Sequence, residues 1–174
     1  MWWTQKPYLR NKMKTPSNAV GIDVSLTNTA MYFGPGQYEE IKGGSERGVT
    51  RLRTMHDKIL AHLLKHKPEV AVIEGYAFAA RSRQHRLGEI GGVVRLACAT
   101  AGVRIIHEVP PTTLKKFFTG GGKASKEDMQ NEAVRRGDFS TIPSNDLADA
   151  CALWYAAADT SLLRTKAESE SLTH

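Results

Sequence analysis

A mixed α/β domain, one sheet covered by helices, is encoded in these 174 residues by three signals. Near the start, short apolar runs of strand length follow one another across tight polar turns. Further on, strand-like runs alternate with segments whose apolar residues recur every three or four positions. The run from Val70 to Ile73 is apolar throughout, which suits a strand covered on both faces.

Residues 1–16 lack periodicity, carry Lys6, Arg10, Lys12 and Lys14, and run into the breakers Thr15-Pro16-Ser17-Asn18. They read as a basic N-terminal arm, expected to be flexible. AVGIDVSLTNTAMYFG then supplies a strand, a polar turn and a second strand closing at Gly34-Pro35-Gly36. QYEEIKG adds a third strand before Gly43-Gly44, so the sheet opens as a three-stranded antiparallel hairpin array. Val49, Leu52, Met55, Ile59, Leu63 and Leu64 mark an amphipathic helix over 49–66, stopped by Pro68. A strand in VAVIEGY, a helix over 84–101 and a strand in GVRIIHEVP follow. PTTLKKFF is a short helix ending at Gly120-Gly121-Gly122, and Ser125 caps another that runs to about Arg136, with Asp128 in its first turn. The last helix starts after Pro143-Ser144-Asn145 and runs to about Asp159. These elements make a single domain over 17–160, since a chain this long has room for one sizeable core. A polar tail over 161–174 is expected to fray.

Composition narrows the partners. The formal net charge is +6, and basic residues cluster at Arg47, Arg51 and Arg53, at Arg81, Arg83 and Arg86, and at Lys115, Lys116, Lys123 and Lys126. Such a surface attracts a polyanion, most commonly nucleic acid, or simply keeps the protein soluble. No apolar stretch approaches the ~20 residues of a membrane span, and the first residues lack the apolar core of a secretory signal. Cys98 and Cys151 sit in apolar runs and read as buried free thiols, so a reducing, cytoplasmic location is the default.

Four carboxylates stand out by context. Asp23 interrupts an apolar strand between Ile22 and Val24, and Glu74 ends the apolar run before Gly75. Asp146 and Asp149 open the last helix three positions apart, on one helix face. Each has a plainer reading. Asp146 complements a helix dipole, Glu74 begins a turn, and Asp23 bonds to the turn that follows. Asp149 is harder to explain that way, because it lies among Leu147, Ala148, Ala150 and Cys151, where an unpaired carboxylate is costly. If the two strands are adjacent and the last helix crosses their ends, all four acids converge. They would then raise one another's pKa, and a divalent cation resolves that conflict. Oxygen-only ligands suit Mg²⁺, with Mn²⁺ as substitute. A pair of such ions per site drives in-line displacement at phosphate.

GIDVSLTNTA, AVIEGYAF, HRLGEIGGVVRLACATAGV, TTLKKFFTGGGKASKEDMQ and NDLADACALWYAA together resemble, in order and spacing over residues 19–158, the RuvC family of Holliday-junction resolvases. The resemblance implies a ribonuclease H-like fold and a homodimer acting on four-way junctions in branched DNA. It implies Asp23, Glu74, Asp146 and Asp149 as metal ligands and Lys126 as a phosphate or transition-state contact. It also implies paired nicks leaving 5′-phosphate and 3′-hydroxyl ends. Arg81, Arg83, Arg86, Lys115, Lys116 and Lys123 are the further candidates for DNA contact. Two positions depart from the bacterial pattern. Val24-Ser25 replaces a motif with a second glycine. Ala77 stands where a base-stacking phenylalanine is usual, flanked by Tyr76 and Phe78, each a candidate for the crossover or for the core. Gly88, Gly91 and Gly92 interrupt a helical pattern, which suits close approach to a partner helix or to the domain's own sheet.

Rival readings are weaker. Gly120-Gly121-Gly122-Lys123 is no phosphate loop, since Phe117 and Ala124 stand where glycine and Ser or Thr are needed. Actin-like sugar kinases share the GID turn but need two such domains. A nuclease with a broader taste for flaps and forks, or a non-catalytic junction-binding protein, remains as the alternative.

Overall fold

The computed structural model describes residues 15–25, 28–75, 81–159 and 161–163, with the side chains of 81–86 excepted. The basic arm up to residue 14, Tyr76 and Phe78, the side chains of Arg81, Arg83 and Arg86, and the tail from residue 164 therefore lie outside the described residues.

Five strands form one sheet in the order β3-β2-β1-β4-β5. β1 (Ala19–Val24), β2 (Asn28–Gly34) and β3 (Gln37–Lys42) are antiparallel neighbours, as the hairpin pattern predicts. β4 (Val70–Glu74) and β5 (Ile105–Val109) extend the other side of β1 in parallel, each reached through a helical crossover. The crossover helices are α1 (Gly48–His66) and α2 (Arg81–Thr100), and α3 (Pro111–Thr119), α4 (Lys126–Arg136) and α5 (Asn145–Ala156) follow. Gly120 ends α3 in the left-handed conformation. Ser125 and Asp128 form the reciprocal capping box that starts α4.

Strand alternation sorts the core into two layers. Val20, Ile22, Met31, Ile41, Ala71 and Ile73 face α1 and α2, against Met55, Ile59, Leu63, Ile90 and Val94. Ala19, Ala30, Tyr32, Val72 and Val109 face α3, α4 and α5. β4 lies between β1 and β5 and under both helical layers, and Ala71, Val72 and Ile73 are buried on its two faces, as the uninterrupted apolar run from Val70 to Ile73 predicts.

α5 is apolar almost all round, with Leu147, Ala148 and every residue from Ala150 to Ala156 buried, as expected of a helix enclosed by other elements. Its close seat on β1 depends on Gly21. A Cβ there would stand 2.0 Å from the Ala150 carbonyl oxygen and 2.5 Å from the Trp154 nitrogen, both backbone atoms of α5. The far end of the helix is pinned by a buried carboxylate. Tyr32 Oη donates to Asp138 Oδ1 at 2.5 Å and Tyr155 Oη to Oδ2 at 2.9 Å, while Arg136 stacks on the Phe118 and Tyr155 rings. With both oxygens partnered, Asp138 is tolerable at 6% exposure.

Two details differ from expectation, and one open reading is narrowed. α5 closes at Ala156 rather than near Asp159, and residues 161–163 form one more helical turn whose Leu162 and Leu163 pack on the core. These two leucines have an apolar layer within reach, so the domain extends past residue 160. Of the three α2 glycines, Gly91 is buried within the domain, whereas Gly88 and Gly92 are exposed with nothing within 4 Å of an added Cβ. Leu96, one turn further along the same helix face, is 59% exposed. Both cysteines are buried and free, and no described helix is long and apolar enough to cross a membrane.

Candidate active site

Alternation also places the acids. Gly21 and Asp23 share a β1 face, Val72 and Glu74 share a β4 face, and both faces turn toward α5. Ile22 pairs with Ile73, so Asp23 and Glu74 are side by side at the ends of adjacent parallel strands. α5 starts over that end, with Ser144 as N-cap accepting from the Leu147 amide at 3.1 Å. Asp146 lies in its first turn and Asp149 one turn on, which brings all four acids into one cluster.

Their mutual influence is read in their proton affinities. Burial raises the Asp23 carboxyl well above its usual range, with Glu74, Asp149 and Asp146 each adding repulsion in that order. Burial and then Asp149 push Glu74 up to about 7, and burial pushes Asp149 up to about 6. Asp23 and Glu74 stand side by side at the strand ends, so each carboxyl feels the charge of the other. Two lysines oppose this crowding. Lys115, half-buried on α3, draws down both Asp149 and Glu74, and Lys126, exposed at the first position of α4, draws down Asp149. Lys116 and Lys123 are exposed on the same α3–α4 segment, and Lys123 lines a shallow cleft with Asp128, Asn131 and Arg135.

Sequence reasoning overlooked Asn28, Glu40 and Ser144. Asn28 Nδ2 donates to Asp146 Oδ2 at 3.0 Å and to Glu40 Oε1 at 3.2 Å, and Ser144 Oγ donates to the same Glu40 oxygen at 2.6 Å. Asn28 and Glu40 have the strand parity of Ala30 and Tyr32, opposite to Met31 and Ile41, so they share the α5 face with the acids. That parity was the available signal, but it needed the pairing of three strands to be read. Lys115 was foreseen as a DNA contact, and its place beside Glu74 and Asp149 was not.

The donor set fits a hard divalent cation. Four carboxylates on a partly dry surface with two nearby ammonium groups leave surplus negative charge, and burial with mutual repulsion raises the proton affinity of Asp23, Glu74 and Asp149, a charge that a divalent cation would offset. Among the described residues, no three His, Cys, Asp or Glu side chains are placed so that they could hold a metal ion as they stand, so the acids are gathered but not drawn to ligating distance.

This strain has a stability consequence. Glu74 and Asp149 hold protons in the fold up to about pH 7 and about pH 6, whereas an unfolded carboxyl loses its proton near ~4. Between those limits the folded state binds more protons than the unfolded one, so stability falls as pH rises. In EDTA, the Tm is expected to be several degrees lower at pH 8 than at pH 5, as a loss of roughly 2–4 kcal/mol would give. Adding Mg²⁺ should recover more at pH 8. A Tm in EDTA that is flat or rises over this range contradicts the crowding described here.

Residues 24–156 match the family model described as Crossover junction endodeoxyribonuclease RuvC, more than half of the chain. The chain belongs to the RuvC family. A RuvC of Treponema denticola is 33% identical over 144 residues, covering 76% of this chain and 80% of that one. A RuvC of Acidobacterium capsulatum is 36% identical over 86 residues, about half of each chain. The solved structure of Thermus thermophilus RuvC in complex with Holliday junction substrate superposes with a TM-score of 0.72 at 22% identity, over 82% of this chain and 93% of that one. The ribonuclease H-like mixed sheet expected of the RuvC family is the fold found here.

Proposed function

We propose that Asp23, Glu74, Asp146 and Asp149 ligate the divalent cations of a Holliday-junction-resolving endonuclease. The observation that carries this is the convergence of the four acids, from two strands and one helix, in a chain of the RuvC family. RuvC relatives are named for cleavage at crossover junctions, and the same activity is assigned to this chain. Mg²⁺ is the working ion, two per site, with Mn²⁺ able to replace it. Bound there, such ions supply Lewis acidity and an activated water for in-line displacement at phosphorus.

The protein's own groups hold and orient. Lys115 and Lys126 place positive charge at the rim of the acid cluster, where a phosphate backbone meets the site and negative charge grows in the transition state. Lys116 and Lys123, with Arg81, Arg83 and Arg86, extend that attraction along the branched DNA, and Tyr76 or Phe78 meets the crossover. Nicks would leave 5′-phosphate and 3′-hydroxyl ends. Paired nicks need two sites, hence a homodimer, and the open Gly88, Gly92 and Leu96 face of α2 supports close approach of a second copy.

The test is a labelled, immobile four-way junction incubated with and without Mg²⁺ beside a flap, a fork and a linear duplex. Metal-dependent, paired nicks confined to the junction are expected. Equal cutting of flap and fork would replace resolution with general branched-DNA cleavage, and junction binding without cutting in either Mg²⁺ or Mn²⁺ would leave a binding protein.

A further inference from the structure

The polar side chains around Asp146 form a chain of contacts that the four acids do not require. Asn28 on β2 and Glu40 on β3 are not charge partners of a cation cluster in any simple sense. Glu40 brings yet another negative charge to it. Both are nevertheless tied to Asp146 through one amide group, which donates to the two carboxylates at 3.0 and 3.2 Å. The orientation of that amide is set by chemistry, since the reverse would press Asn28 Oδ1 against two anions. In this orientation Oδ1 is buried and finds no donor among the described residues. A buried oxygen left unsatisfied costs stability, and an apolar side chain would have avoided the cost. What the arrangement secures is the Asp146 carboxylate. Lying in the first turn of α5 and only half-buried, it would otherwise turn about its own torsions. Glu40 in turn fixes the amide, and Ser144 Oγ, at 2.6 Å, locks Glu40 to the N-cap of the very helix that carries Asp146. The loop of contacts closes from β2 to β3 to α5 and back.

We propose that Asn28 and Glu40 are positioning residues that restrain the Asp146 carboxylate at the acid cluster, where it would ligate a cation. This rests on the four acids being the metal site. Contacts of this kind typically alter metal affinity 10–100-fold when removed.

The test is Mn²⁺ binding to the full chain without DNA, followed by the loss of the free-ion signal in electron paramagnetic resonance. Asn28→Ala and Glu40→Ala are each expected to weaken Mn²⁺ binding about tenfold or more. Glu40→Gln, which keeps an oxygen for Ser144 and Asn28, is expected to stay near the native affinity. In cleavage assays the Mg²⁺ concentration for half-maximal rate should rise in the two alanine variants, with the rate at saturating Mg²⁺ largely recovered. Glu40 is exposed, so its alanine variant keeps the test informative even if Asn28→Ala folds poorly. Asp149→Asn serves as the reference. If it weakens Mn²⁺ binding while Asn28→Ala and Glu40→Ala do not, the positioning role is overturned and the metal site stands. If Asp149→Asn also leaves binding untouched, the metal site itself is wrong. If Glu40→Gln loses as much as Glu40→Ala, Glu40 acts through its charge and not by holding Asn28.

Discussion

Asp149→Asn is expected to lower metal-dependent junction cleavage about 10³-fold, because a lost ligand removes several kcal/mol of charge stabilisation. Junction binding should persist, since the basic groups proposed to meet the phosphate backbone are unchanged. The substitution removes a negative charge at nearly constant shape from a place where burial already pushes the carboxyl up to about 6. The variant should therefore be more stable than the native chain in EDTA at pH 8, where that carboxyl would be ionised. Loss of activity with a gain in stability separates a functional group from a structural one. Near-native cleavage by Asp149→Asn would remove this acid from the site.

Gly21→Ala carries the largest expected effect on stability. The new methyl carbon would have to occupy space 2.0 Å from the Ala150 carbonyl oxygen and 2.5 Å from the Trp154 nitrogen, and neither atom belongs to a side chain that can swing aside. α5 must move as a unit, against the Asp138 clamp at its far end. A loss of about 3 kcal/mol or more is expected in urea unfolding, at the upper end of over-packing costs. Activity per folded molecule should also fall, since a shift of about 1 Å in reacting groups can cost ~10²-fold. Native-like stability for Gly21→Ala would mean that α5 sits farther from β1 than described.

The legibility of this protein in its sequence follows from what is local. Asp23 and Glu74 were visible because each is a lone carboxylate in an apolar strand, an expense that a fold seldom carries without a use. Asp146 and Asp149 were visible because helical spacing alone puts them on one face. Asn28 and Glu40 were not, because polar residues in a hairpin are unremarkable until β1, β2 and β3 are paired in register and their common face is known. Gly21 looked like part of a motif, and its real demand comes from a helix that begins more than a hundred residues later. The glycines of α2 admitted two readings, and the structure divides them, with Gly91 buried in the domain and Gly88 and Gly92 facing open space.

The distribution of the acids along the chain has an effect on biosynthesis. Half of them lie in β1 and β4, and the other half arrive with α5, the last long helix among the described residues; Asn28 and its hydrogen-bond partner Asp146 are 118 positions apart. Contacts this distant in sequence require closure of a long loop and are slow to form. A growing polypeptide on the ribosome therefore carries an incomplete set of acids until α5 has emerged and docked. A nascent chain, or one trimmed by a protease ahead of α5, would hold only Asp23 and Glu74 of the four proposed ligands.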